Sequence, residues 1–145
     1  MTEFEAEFEP GDVDAEIEEL CDLGVDLAEA GSFAKALEAY EAAWELLDDP
    51  AEEQEGSAWI LGNIGYTKFL QGHYAAGRVD LARALTLPGG AGNAFLHLRL
   101  GQCLFELDDL PRAAEQLRLA FLIEDEAVFV DEDPKYRALI DGRPS

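Results

Sequence analysis

Apolar residues recur along this chain at helical spacing, in paired stripes separated by a turn residue. The first pair runs Ile17, Leu20, Leu23, Gly24 and Leu27, then Phe33, Leu37, Tyr40 and Trp44. A fixed set of anchors repeats within these stripes. Leu23-Gly24 is followed by Gly31, Phe33, Ala36, Tyr40 and Ala43. Ile64-Gly65 is followed by Gly72, Tyr74, Gly77, Leu81 and Ala84, and Leu100-Gly101 by Asp108, Leu110, Ala113, Leu117 and Ala120. The spacing is the same in all three sets. Small residues at matching places let two helices approach closely, and the larger ones fill the seam between them. The pattern predicts three helix–turn–helix units, at about 13–49, 57–88 and 93–123.

Local signals punctuate the units. Asp12 or Asp14 is placed to cap the first helix, Ser32 the second, Ser57 the third and Asn93 the fifth. Asp48-Asp49-Pro50 ends the second helix, and the acidic stretch 51–56 leads to the third. Pro88-Gly89-Gly90-Ala91-Gly92 breaks the chain before the fifth. Pro111 falls in the first turn of the sixth, where a missing N–H costs little. Residues 1–12 read as an acidic tail whose Phe4 and Phe8 are i,i+4 neighbours. Residues 124–145 read as an acidic linker followed by a helix from Asp133-Pro134 carrying Tyr136, Leu139 and Ile140. That helix is expected to cap the open end of the third unit.

The repeated anchors resemble the tetratricopeptide repeat (TPR), an all-α family of stacked helix pairs that forms an α-solenoid. Equivalent glycines lie 41 and then 36 residues apart, against about 34 in a standard TPR, and the excess falls in the connectors. The resemblance implies a binding surface rather than a reaction centre. In TPR folds the first helix of each pair lines the concave face. The outward stripe then holds Glu18, Cys21, Asp22, Val25 and Glu29 in the first repeat. It holds Trp59, Asn63, Tyr66 and Phe69 in the second, and Phe95, Arg99, Gln102 and Phe105 in the third. Aromatics and arginine are common interface anchors, so the stripe is a candidate partner site. The alternative is that some of these aromatics pack under the N-terminal tail or the C-terminal helix.

Charge sharpens this picture. The chain of 145 residues has a net charge of −22, and it is unevenly spread. Residues 1–57 hold 20 acids and one base, Lys35, whereas residues 58–123 hold 5 acids and 6 bases. General solubility or adaptation to salt would spread acid over every exposed face. Segregation points instead to a basic protein partner and away from direct nucleic-acid contact, since phosphates need the opposite charge. The acidic start, Met1-Thr2-Glu3-Phe4-Glu5, lacks the basic segment of a signal peptide, and no apolar run reaches about 18 residues. A cytoplasmic protein without membrane contact is therefore expected.

Chemistry-bearing motifs are sparse. Gly89-Gly90-Ala91-Gly92 lacks the Gly-Lys-Ser/Thr ending of a phosphate loop and follows a helix rather than a strand. Cys21 and Cys103 are too few for a metal or disulfide framework and read as buried thiols. His73 falls in a turn, and His97 on a packing stripe, where it reads as a satisfied core histidine. No catalytic residue, cofactor or metal is expected.

Three finer resemblances bear on the partner. TPR co-chaperones clamp C-terminal carboxylates with basic and amide residues. Asn63 and Arg99 match that pattern, but Cys21, Val25 and Phe95 depart from it, and Glu18 and Asp22 would repel an acidic tail. The run Leu98-Arg99-Leu100-Gly101-Gln102-Cys103-Leu104-Phe105-Glu106-Leu107 resembles the third repeat of the TPR chaperones of type III secretion translocators. Trp59-Ile60-Leu61, Gly65, the 88–93 connector, His97-Leu98-Arg99-Leu100-Gly101-Gln102-Cys103 and Asp133-Pro134-Lys135-Tyr136 resemble a group of small bacterial TPR proteins of polymorphic-toxin loci. The last resemblance implies an immunity protein that binds a co-encoded basic toxin domain. The second implies a secretion chaperone or scaffold for an apolar segment of an exported protein.

Overall fold

The computed structural model describes residues 13–141. Seven α-helices follow one another: α1 Val13–Glu29, α2 Phe33–Glu45, α3 Ser57–Leu70, α4 Tyr74–Leu85, α5 Ala94–Glu106, α6 Leu110–Glu124 and α7 Pro134–Asp141. Short 3₁₀ turns at Ala51–Glu53 and Asp125–Phe129 precede α3 and α7. The acidic tail with Phe4 and Phe8, and Asp12 as a helix cap, lie outside the described residues.

The helices pack as α1–α2, α3–α4 and α5–α6 hairpins, and successive hairpins meet through α2 on α3 and α4 on α5. The anchors fall where a common register requires them. Ala36, Gly77 and Ala113 are buried, as are Tyr40, Leu81 and Leu117, and Ala43, Ala84 and Ala120. A Cβ added at Gly24 would stand 2.5 Å from the Tyr40 ring; at Gly65 it would stand 2.7 Å from Leu81 Cγ, and at Gly101 2.8 Å from Leu117 Cγ. Each glycine thus admits the large residue sixteen positions later. Leu23 departs from the pattern and is largely exposed. Its counterparts Ile64 and Leu100 pack toward a preceding hairpin, which α1 lacks among the described residues.

The turn between helices also repeats. Gly31, Gly72 and Asp108 occupy the same place, with φ of 83°, 84° and 64°. Left-handed backbone is strained for a residue with a Cβ, though aspartate tolerates it better than most. Asp108→Gly should therefore stabilise the third hairpin by about 0.5–1 kcal/mol, read as a raised midpoint in urea unfolding. A lowered midpoint would mean that the Asp108 side chain stabilises the turn by more than its backbone costs.

Capping follows the sequence in part. Asn93 Oδ1 accepts from the Leu96 N–H at 3.3 Å, and Asp109 Oδ1 accepts from the Arg112 N–H at 3.4 Å. Ser32 stands at the N-cap of α2 without a side-chain cap bond. Ser57 is the first residue of α3 rather than its cap, and its buried Oγ has no hydrogen-bond partner. The chain enters α3 through Gly56 at φ 91°, a geometry that carries the serine one place further into the helix.

Helix α7 covers the end of the third hairpin as expected. Tyr136 and Phe129 are buried with Leu98, Leu117 and Ala120, and Leu139 and Ile140 pack against them.

Candidate functional site

Helices α1, α3 and α5 carry the predicted stripe, and its two halves differ. At the α3–α5 seam the aromatics form a connected stack. Tyr66 lies nearly parallel to Phe69, with centroids 6.1 Å apart, and meets Phe95 edge-on at 5.5 Å. Phe69 is also tilted against Tyr74 at 5.5 Å, so it belongs to the packing of its own hairpin. The Arg99 guanidinium sits 3.9 Å from the Tyr66 ring centroid and 5.1 Å from that of Phe95.

The groups facing this stack come from the chain itself. Arg99 Nη1 donates to Glu132 Oε1 at 2.7 Å and to Gln102 Oε1 at 3.0 Å. Gln102 Nε2 donates to the same Glu132 oxygen at 2.7 Å. Gln102 is fully buried, and the Arg99 side chain is 11 % exposed. Phe105 meets Tyr136 edge-on at 5.1 Å. Arg99, Gln102 and Phe105, predicted to face a partner, are therefore engaged by the C-terminal segment, which lies across this half of the groove. The alternative stated above, aromatics packed under the C-terminal helix, is what Phe105 adopts.

A second clasp holds that segment down. Glu106 of α5 accepts from Tyr136 Oη at 2.7 Å and pairs with Lys135 Nζ at 2.8 Å. Burial alone would raise the Glu106 carboxyl, but hydrogen bonds from Lys135 and Tyr136 outweigh it and hold the group below its ordinary range. Further out, Arg137 forms a forked pair with Glu126 at 2.8 and 3.0 Å.

The other half of the groove is uncovered among the described residues. Between α1 and the start of α3 lies a cleft of about 330 Å³, lined by Ile17, Leu47, Trp59 and Ile60 together with Glu18, Cys21, Asp22 and Glu55. Trp59 is 42 % exposed and rests edge-on against Tyr40 at 6.0 Å. Glu18, Asp22 and Glu55 are exposed and have no ion-pair partner among the described residues. The cleft is electrically negative. Burial, then the charges of Asp22 and Glu18, push the Cys21 thiol up to about 11, which leaves it protonated and unreactive at neutral pH.

Of the remaining predicted residues, Val25 is half-buried and packs on the core, and Glu29 is exposed at the end of α1. Asn63 turns back on its own helix, its Nδ2 donating to the Trp59 carbonyl at 2.9 Å. Glu132, Glu55 and Leu47 belong to the site but were absent from the predicted stripe. They come from connectors, to which helical periodicity assigns no face.

The residues singled out for other chemistry have structural roles. His97 is buried; its Nε2 lies 2.8 Å from the Ala91 carbonyl and its Nδ1 2.7 Å from Gln116 Oε1. The glycine run lets the connector pass α4: a Cβ at Gly90 would overlap the Ala84 carbonyl. Among the described residues, no three His, Cys, Asp or Glu side chains converge to hold a metal ion, and no helix is long and apolar enough to cross a membrane.

No protein-family model and no curated protein matches the chain. Solved structures do. The Arabidopsis OM64 TPR domain superposes with a TM-score of 0.72 at 16 % identity, covering 90 % of this chain and 95 % of that one. The first TPR of Spaghetti (RPAP3), bound to the HSP90 peptide SRMEEVD, gives 0.70 at 16 % identity, covering 88 % and 89 %. The Yersinia enterocolitica type III secretion chaperone SycD, in complex with a peptide of the translocator YopD, gives 0.68 at 17 % identity, covering 86 % and 89 %. The threefold register and these superpositions agree: the fold is a TPR-like α-solenoid of three helix pairs closed by a C-terminal helix.

Proposed function

We propose that this chain is a stoichiometric protein-binding module, and specifically an immunity-type protein that sequesters a co-encoded basic toxin domain in the cytoplasm. It would act by steric occlusion and charge complementarity rather than by catalysis. The observation that carries this reading is the placement of the acids. Glu18, Asp22 and Glu55 surround the exposed Trp59 in the half of the groove that the C-terminal segment leaves uncovered. In the aromatic half, Arg99, Gln102 and Phe105 are already engaged by Glu132 and Tyr136. A partner approaching the uncovered half meets negative potential and a partly exposed indole, a combination that favours a basic surface with at least one anchor.

A second reading is favoured by the fold. SycD was solved with a peptide of a translocator, and the first TPR of Spaghetti with a peptide of HSP90. On that reading this chain holds an apolar segment of an exported protein. The two differ in what the partner must be. An immunity protein should bind the folded, basic product of the adjacent gene and fail to bind its isolated peptides; a chaperone should bind an unfolded apolar peptide. Titration of both forms in a calorimeter separates them. Binding of peptides but not of the folded product would reject immunity.

A further inference from the structure

The chain uses one device twice on itself. Arg99 stacks on Tyr66 and Phe95 while pairing with Glu132, and Arg83 stacks on Trp44, 5.6 Å from its ring centroid, while pairing with Glu52. In each case an arginine lies against an aromatic face with a carboxylate at its edge. The α1–α3 cleft has two of these three parts. By the 36-residue offset between the second and third repeats, Trp59 stands where α5 has Phe95, and Asn63 where α5 has Arg99. The acids are present as Glu18, Asp22 and Glu55. Among the described residues no cation completes the set, because Asn63 is neutral and turned back onto the Trp59 carbonyl.

We infer that the α1–α3 cleft receives an arginine side chain of the basic partner proposed above, stacked on the Trp59 indole with its guanidinium between Glu18 and Asp22. The choice of partner chemistry rests on that earlier reading; the cleft itself rests on the geometry. Arginine fits better than lysine for two reasons. Its planar fork both stacks on an aromatic face and meets carboxylates edge-on. It is also less strongly hydrated, so entering a cleft with an apolar lining costs it less than it costs an ammonium. Burial raises the Cys21 thiol most, and the charges of Asp22 and Glu18, which make up the field such a cation would enter, raise it further.

The probes are two blocked peptides, Ac-Gly-Leu-Arg-Arg-Leu-Gly-NH₂ and its Lys-Lys counterpart, titrated into isotopically labelled full-length protein. The two indole N–H signals report on Trp59 and Trp44 separately. The arginine peptide should shift the Trp59 indole and the Cys21 amide saturably and leave Trp44 unmoved. It should bind about fivefold more tightly than the lysine peptide. Trp59→Leu should weaken it about tenfold. The Glu18→Gln/Asp22→Asn double variant changes exposed side chains only and should weaken it comparably. Equal binding of the two peptides, with shifts spread over all the acids of α1 and α2, would overturn the inference. So would a Trp59→Leu chain that binds as the parent does. Arginine-peptide binding without binding of the adjacent gene's product would sink the toxin reading alone. Undiminished binding of that product by the Trp59→Leu chain would sink the cleft alone.

Discussion

Replacing Gly65 with leucine should destabilise the fold by about 3 kcal/mol, the upper end of what overpacking a well-filled seam costs. The α3–α4 hairpin has no room to yield. A Cβ at Gly65 would stand 2.7 Å from Leu81 Cγ and 3.1 Å from the Gly77 carbonyl oxygen. Leu81 is fully buried, so it cannot retreat, and the carbonyl belongs to the α4 backbone. The approach is reciprocal, because a Cβ at Gly77 would lie 2.8 Å from the Gly65 carbonyl. Gly101→Leu should cost somewhat less. Its neighbour is the Leu117 side chain at 2.8 Å, with the nearest backbone oxygen, that of Ala113, at 3.3 Å. Gly92→Ala is the control: nothing lies within 4 Å of its added Cβ, and its φ is not positive. Thermal melts should show a drop of roughly 10 °C for Gly65→Leu and almost none for Gly92→Ala. Equal tolerance at all three positions would contradict the register on which the groove is built.

The second large effect is expected from ending the chain at Glu132. Burial of Tyr136, Leu139 and Ile140 stabilises by about 1.5–3 kcal/mol for each fully covered side chain, offset by the entropy of ordering α7. A net loss of about 2 kcal/mol is expected, because Leu117 and Phe121 lose their cover and Glu106 loses both of its donors. The effect carries a pH signature. The Glu106 carboxyl is held below its ordinary 4.5 in the folded chain. Its contribution is therefore fully present above about pH 4.5 and is lost as pH falls through the depressed value. Melting temperatures of the full and truncated chains should differ most near neutral pH and draw together in acid. A constant difference across that range would remove the Glu106 clasp from the explanation. An unchanged melting temperature at neutral pH would mean that α7 does not act as a cap.

How much of this was legible in the sequence depends on the range of the interactions. The hairpins were, because Gly24, Gly65 and Gly101 and the large residues sixteen positions on are set by contacts within one helix pair. The turns were too, since Gly31, Gly72 and Asp108 share one backbone requirement. The groove was legible only as a stripe. Periodicity places Arg99 and Gln102 on the correct face of α5, but it is silent on Glu132, which reaches them from thirty or more residues away out of an irregular segment. Arg99, read from the sequence as a surface anchor, is for that reason found paired with Glu132. A buried arginine must find a carboxylate, and the nearest in space is distant along the chain. The acid-rich first repeat behaved differently. Its acids greatly outnumber the bases near them in sequence, so most could not be paired within the fold, and Glu18 and Asp22 remain exposed beside Trp59.

The central claim is that these acids draw a basic partner onto the open half of the groove. Its most direct test is the rate of association with the adjacent gene's product, measured at several salt concentrations for the parent chain and for a Glu18→Lys/Asp22→Lys/Glu29→Lys variant. At physiological ionic strength charges are screened beyond about 8 Å, so rim acids act mainly on encounter. The parent on-rate should fall steeply as salt rises. The variant should associate about tenfold more slowly at low salt, with a flattened salt dependence and a dissociation rate close to the parent's. Association that is independent of salt and unchanged by the triple reversal would contradict the claim.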